Sequence, residues 1–162
     1  MKRSATLFEA FRYAGAGVVH AFRSQRNIRI HVVAGTLALE LGVLVGLEPW
    51  QWVALVLAIT VVLALEMVNT AVEAAVDLAA PGYHHLARVA KDVVAGSVLV
   101  AAAGSLAVGC LIFGPRVGQL PTVLAAWARG RPLGFAVLWA GLALALAGAL
   151  VGGGKGSSAR AG

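Results

Sequence analysis

Four long apolar runs dominate this chain, and runs of that length decide its solvent before any motif is read. The first extends from about Ile28 to Leu47 and the second from Trp50 through Leu65. The third covers Val93 to Phe113 and the fourth Leu133 to Val151. About 20 apolar residues in a helix cross a hydrocarbon core of ~30 Å. Hydrophobic residues make up 60% of the 162 and charged residues 12%, against roughly 25% charged in an average soluble domain. A soluble fold has too few charges here to cover so much apolar surface, so lipid must do the covering. The expected fold class is an all-α membrane protein: an N-terminal amphipathic surface helix, three core transmembrane helices and a fourth C-terminal one.

The surface helix is read from residues 4–24. Leu7, Phe8, Phe11, Ala14, Val18 and Phe22 recur at helical spacing on one face, with Glu9, Arg12, His20 and Arg23 elsewhere, the pattern of a helix lying in the membrane interface. Interruption by those polar residues also argues against a cleavable signal peptide. Glu48-Pro49 marks a turn, with Trp50 and Trp52 at the interface. The second span continues helically past Leu65 to Asp77, roughly 42 Å at ~1.5 Å per residue, so its end stands in headgroups or water. Ala80-Pro81-Gly82 breaks it, a short polar segment (residues 83–88) follows, and Gly114 to Pro132 reads as a Gly-, Pro- and Arg-rich loop. The tail from Gly152 to Gly162 reads as disordered. Cys110, alone of its kind, reads as a small packing residue.

The net charge of +6 sits beside apolar runs, which suits topogenic charge and anionic headgroups better than nucleic acid. Lys2, Arg3, Arg12, Arg23, Arg26 and Arg29 precede the first span, and Arg88 and Lys91 lie between the second and third. The N-terminus and that connector are therefore expected on the cytoplasmic side of a bacterial inner (plasma) membrane. This orientation leaves Arg116, Arg129 and Arg131 outside, against the bias.

The chemistry lies at the end of the second span. Glu66, Asn69, Glu73 and Asp77 are offset by three, seven and eleven residues, within about an 80° arc of a helix. Their neighbours on the helix are Ala, Val, Met and Leu. Ionisable groups at membrane depth are costly and mark a pathway or an active site. Carboxylates with an amide suit a hard cation such as Mg²⁺, held by few protein ligands and by nucleotide phosphates. A desolvated glutamate suits general-base work, and Lys91 beside Asp92 offers a point charge for phosphate. Together these are the parts of phosphoryl transfer. The usual nucleotide motifs are missing: Gly154-Lys155 has Ala149 where the first P-loop glycine belongs and Gly156 where Ser or Thr belongs. His84 and His85 lack zinc-ligand spacing.

The pattern E-x-x-N-[ST]-A-x-E-x-x-x-D over Glu66 to Asp77, followed by Tyr83-His84 and Ala90-Lys91-Asp92, resembles the signature of the prokaryotic diacylglycerol kinase family. Upstream, Phe11-Arg12-Tyr13 and Arg26-Asn27-Ile28-Arg29-Ile30-His31 are similar too. The resemblance runs from residue 5 to about 113 and is nearer the undecaprenol kinases of Gram-positive bacteria than the Gram-negative diacylglycerol enzyme. It implies an ATP-dependent kinase acting on the hydroxyl of a membrane lipid, undecaprenol or diacylglycerol, for lipid recycling. Glu66 would be the catalytic base. Glu73 would ligate the Mg²⁺ of MgATP, and Asn69 would help hold the geometry. Tyr13, Gly82, Tyr83, His84, Lys91 and Asp92 would line the nucleotide, and Asn27 and Arg29 would lie near the lipid. The family's assembly is a homotrimer of three-span subunits with shared sites. Gln25 stands where the family carries a second metal-binding glutamate, next to the nucleotide; its amide oxygen can ligate but brings no charge. Residues 1–113 would form the kinase domain, 114–151 a loop and an extra span.

Two other readings of the stripe stand beside this one. A small transporter or channel subunit would use the carboxylates as a cation or proton path, though it has no need of Lys91-Asp92 or Tyr83-His84. An inactive kinase relative is the other, and Gln25 is its motive. Glu40, mid-span, reads equally as a buried hydrogen-bonded glutamate near His31 or Arg29 and as a substrate contact.

Overall fold

The computed structural model describes residues 6–130 and scattered helical positions between Ala136 and Ala147. Helix α1 (Leu7–Ser24) starts on a capping box. The Thr6 N–H donates to Glu9 Oε2 at 2.8 Å, and the Glu9 N–H to Thr6 Oγ1 at 3.3 Å, satisfying two of the first-turn donors. Leu7, Phe8 and Phe11 remain exposed along it, as a membrane-surface helix requires. Helix α2 (Arg26–Val45) ends at Gly46, whose φ of 66° only glycine adopts freely. Helix α3 (Pro49–Ala79) begins with proline at its first position and with the Glu48 N–H donating to Gln51 Oε1 at 3.0 Å. Helix α4 (His85–Phe113) packs along α3, the largest interface in the bundle.

Three helical stretches among the described residues are long and apolar enough to cross a membrane: Arg26–Val45, Pro49–Ala79 and His85–Gly130. Their apolar windows are only 22%, 22% and 11% buried, so most of that surface faces outward, where lipid or another subunit covers it. The small core holds Leu47, Leu55 and Ile112, with Trp52 and Phe113 packed against them. Two glycines let α2 approach α3. A Cβ at Gly42 would sit 2.9 Å from Trp52 Cη2, and one at Gly35 3.0 Å from Ile59 Cγ2. Lipid tails are as apolar as the side chains, so such close packing supplies the attraction between membrane helices. The Ser105 hydroxyl adds a hydrogen bond to the Ala58 carbonyl at 3.0 Å.

Over Gly114 to Gly130, the described part of the expected loop is helical. Gly114–Gln119 forms a 3₁₀ segment and Leu120–Gly130 helix α5, which turns back onto α2. Pro115 and Pro121, which read as breakers, each sit in the first turn of a helical piece, where no N–H is needed. The third span likewise begins earlier than Val93, at His85. Cys110 is exposed rather than packed. Most of the expected fourth span, and the tail, lie outside the described residues.

Arg116, on the side the charge bias disfavours, has a structural task. Its Nη1 donates to the Ile112 carbonyl at 2.6 Å and its Nη2 to Gln51 Oε1 at 3.0 Å, tying the end of α4 to the start of α3. Gln51 is buried, so removing the donor costs more than an exposed bond would. Arg116→Met is expected to destabilise the bundle by about 1–3 kcal/mol, seen as a lower midpoint in thermal unfolding in micelles.

Candidate active site

The end of α3 opposite the Trp50 turn carries the polar stripe, and its groups differ in depth. Counting ~1.5 Å per residue from Trp50, Glu66 stands about 24 Å along the helix, Asn69 about 28 Å, Glu73 about 34 Å and Asp77 about 40 Å. A hydrocarbon core is ~30 Å thick. With Trp50 at one edge, that count would put Glu66 and Asn69 just inside the other edge, Glu73 among headgroups and Asp77 in water. Burial follows the same order. Glu66 is 2% and Asn69 9% exposed, Glu73 is half-buried, and the Asp77 side chain is 67% exposed.

Each group has a partner that fits its depth. Glu66 Oε1 lies 3.3 Å from His31 Nε2, which reaches across from α2. Asn69 Nδ2 donates to Glu73 Oε1 at 3.1 Å. Asn69 Oδ1 is buried and has no hydrogen-bond partner among the described residues, an acceptor left for something else to occupy. Asp77 pairs with Lys91 of α4, so the lysine is held over the stripe rather than free.

Two cavities lie near the stripe, one reaching His31 and the other Asp77. One, of about 400 Å³, is an aliphatic groove between α2, α3 and α4, walled by Leu41, Leu55, Ile59, Leu106 and Phe113 among others and reaching His31. The other, of about 260 Å³, lies on the connector side. There Gly82, Tyr83 and His84 face Asp77 on one flank and Arg88, Lys91 and Asp92 on the other. The first turn of α4 opens onto it, with the N–H groups that no helix bond uses.

The expected residues divide accordingly. Gly82, Tyr83, His84, Lys91, Asp92 and Asp77 come together around the polar cleft, while Glu66, Asn69 and Glu73 run beside it along α3. Tyr13 lines neither cavity; it is exposed on α1 with the Arg12 guanidinium 5.2 Å from its ring centroid. Gln25 is the junction residue that closes α1 and opens α2, its N–H bonded to the Ala21 carbonyl at 2.9 Å. Asn27 is exposed. Arg29 is buried, and its Nη1 donates to the Phe22 and Arg23 carbonyls, fastening the last turn of α1 to α2. His31 pairs with Glu66 rather than with Glu40. Arg88 was not anticipated in the site. Its signal was the four-residue step to Asp92, which it meets at 3.8 Å.

A bundle of membrane-length helices with a buried carboxylate stripe, an apolar groove reaching His31 and a cleft lined by Asp77, Arg88 and Lys91 suits an enzyme of membrane lipids. The profile of the prokaryotic diacylglycerol kinase family matches residues 12–113. The chain belongs to that family of membrane lipid kinases. It is 45% identical over 111 residues to a diacylglycerol kinase of Synechocystis, covering 67% of this chain and 63% of that one. It is 40% identical over 110 residues to the undecaprenol kinase of Bacillus subtilis, covering 68% of this chain and 89% of that one. Against the diacylglycerol kinase of Escherichia coli the identity is 27% over 112 residues, 69% of this chain and 92% of that one. The Bacillus and Escherichia identities follow the expected order, but the Synechocystis match shows that similarity alone does not sort the two substrates. No solved structure matches the chain significantly.

Proposed function

We propose that this protein is an ATP-dependent kinase that phosphorylates the hydroxyl of a membrane lipid, undecaprenol or diacylglycerol. The observation that carries the reading is the depth gradient on α3. A buried carboxylate, Glu66, with charged groups farther along the helix is the arrangement that supports a base at a lipid hydroxyl and a nucleotide outward from it. In the reaction the lipid O–H proton passes to Glu66 while the lipid oxygen bonds the γ-phosphorus. The bond from that phosphorus to its bridging oxygen breaks, its electron pair leaving with ADP. Lys91 and Arg88 bind the nucleotide phosphates, and the aliphatic groove aligns the lipid chain and excludes water.

Among the described residues no three His, Cys, Asp or Glu side chains converge on a metal. That suits Mg²⁺ arriving on its nucleotide, since this ion keeps few protein ligands. The Glu73 carboxylate and the partnerless Asn69 Oδ1, neighbours on α3, are hard oxygens that fit it, and the family resemblance offers the Gln25 amide as a third. Bound there, Mg²⁺ would neutralise charge developing on the phosphates. We further place the cleft on the cytoplasmic side, because Arg88 and Lys91 stand on it, and we propose a homotrimer whose neighbours cover the outward faces of α3 and α4. An ion path is less well supported, because beyond Glu66 the groove walls are aliphatic.

The test uses the purified chain in micelles with labelled ATP, Mg²⁺ and each lipid in parallel. Label in undecaprenol or diacylglycerol is the expected result and names the substrate; none in either, from folded protein, sinks the reading. Lys91→Met, which removes a phosphate contact and leaves Asp77 unpaired, is expected to raise KM for ATP about tenfold. Titrating the nucleotide at saturating lipid measures it.

A further inference from the structure

We infer that His31 is the positioning residue for Glu66, fixing which carboxylate oxygen meets the lipid hydroxyl. This rests on the kinase reading above and deepens it. His31 comes from α2 and Glu66 from α3, so their 3.3 Å approach is made by tertiary packing and not by helix spacing. The Glu66 side chain is 3% exposed and that of His31 26%. The ring thus covers one edge of a carboxylate that is otherwise enclosed. His31 also lines the apolar groove, which puts it where groove and carboxylate meet. Arg29 Nη1 is engaged with the carbonyls that end α1, and Lys91 with Asp77.

In the proposed arrangement a neutral imidazole turns its Nε2 proton towards Oε1, 3.3 Å away, and leaves Oε2 to accept. Glu66 then takes the lipid proton on Oε2, and the ring keeps its own proton throughout. An unheld carboxylate would sample rotamers in which neither oxygen points into the groove, and misplacement of a reacting group by 1 Å is enough to slow an enzyme about 10²-fold.

The experiment compares His31→Leu with His31→Gln in micelles, using labelled ATP, Mg²⁺ and whichever of the two lipids the wild type phosphorylates. The leucine variant removes the donor. The glutamine amide carries an N–H at similar reach and restores it. Expected is a fall in kcat of about 10–100-fold for His31→Leu, with KM for ATP unchanged, and recovery of most of that loss in His31→Gln. In a Glu66→Gln background His31→Leu should cost nothing further, since the two act as one unit. Wild-type kcat in His31→Leu overturns the inference, as does a glutamine variant as slow as leucine or an undiminished loss in the Glu66→Gln background. Should the leucine variant fail to fold, His31→Asn, whose amide stops a methylene short, takes its place with the same outcomes. A wild type that phosphorylates neither lipid instead overturns the kinase reading, and this inference with it.

Discussion

Glu66→Gln is expected to lower kcat for lipid phosphorylation by about 10²–10⁴, the range a positioned general base supplies, while KM for ATP and the assembly stay as they were. Glutamine has nearly the same volume, so the 2%-exposed site keeps its packing. Its amide oxygen still accepts from His31, so no buried donor is orphaned, and loss of a charge from a low-dielectric position does not by itself destabilise. What glutamine cannot do is take a proton at neutral pH. Steady-state kinetics on folded, wild-type-sized particles checks the result. A variant turning over at the wild-type rate would move the base elsewhere on the stripe.

Glu73→Gln is the second large effect, and it has a different signature. Glu73 contributes the single negative charge in the proposed metal set, because Gln25 and Asn69 are amides. Without it the phosphates alone hold Mg²⁺ in place, and a loss of about 100-fold at limiting Mg²⁺ is expected. Raising Mg²⁺ should recover part of that loss by mass action. The same titration leaves Glu66→Gln untouched, so two carboxylates about two turns apart on one helix face separate into base and ligand in one experiment. Equal recovery of both variants, or of neither, would contradict the division of roles.

Much of this site was legible along the chain because it lies on one helix. Glu66, Asn69, Glu73 and Asp77 repeat at helical spacing, and the apolar run before them sets their depths by simple rise per residue. The turn at Glu48-Pro49 and the break at Ala80 were legible for a similar reason, since cap and breaker residues act within a few positions. The same local logic failed at Pro115 and Pro121. Proline stops a helix from within but is welcome in its first turn, and composition does not distinguish the two. Arg116 ran against the charge bias for a reason that no count of Lys and Arg contains: Gln51 lies far away in the chain and adjacent in space.

Hydropathy and periodicity are properties of single segments, and they settled what single segments settle: the membrane class, the helices and the stripe with its order of depth. The family resemblance, carried by that same stripe and its downstream Lys-Asp pair, was also legible there. Which side chains meet across helices was decided only by the tertiary structure. The rotation and height of α2 against α3 follow from contacts such as Gly42 on Trp52 and Gly35 on Ile59, and a change in either would carry His31 away from Glu66. Lys91 was expected to wait for phosphate alone; packing of α4 along α3 gave it Asp77. The apolar groove that reaches His31 belongs to no helix by itself, since its walls come from three.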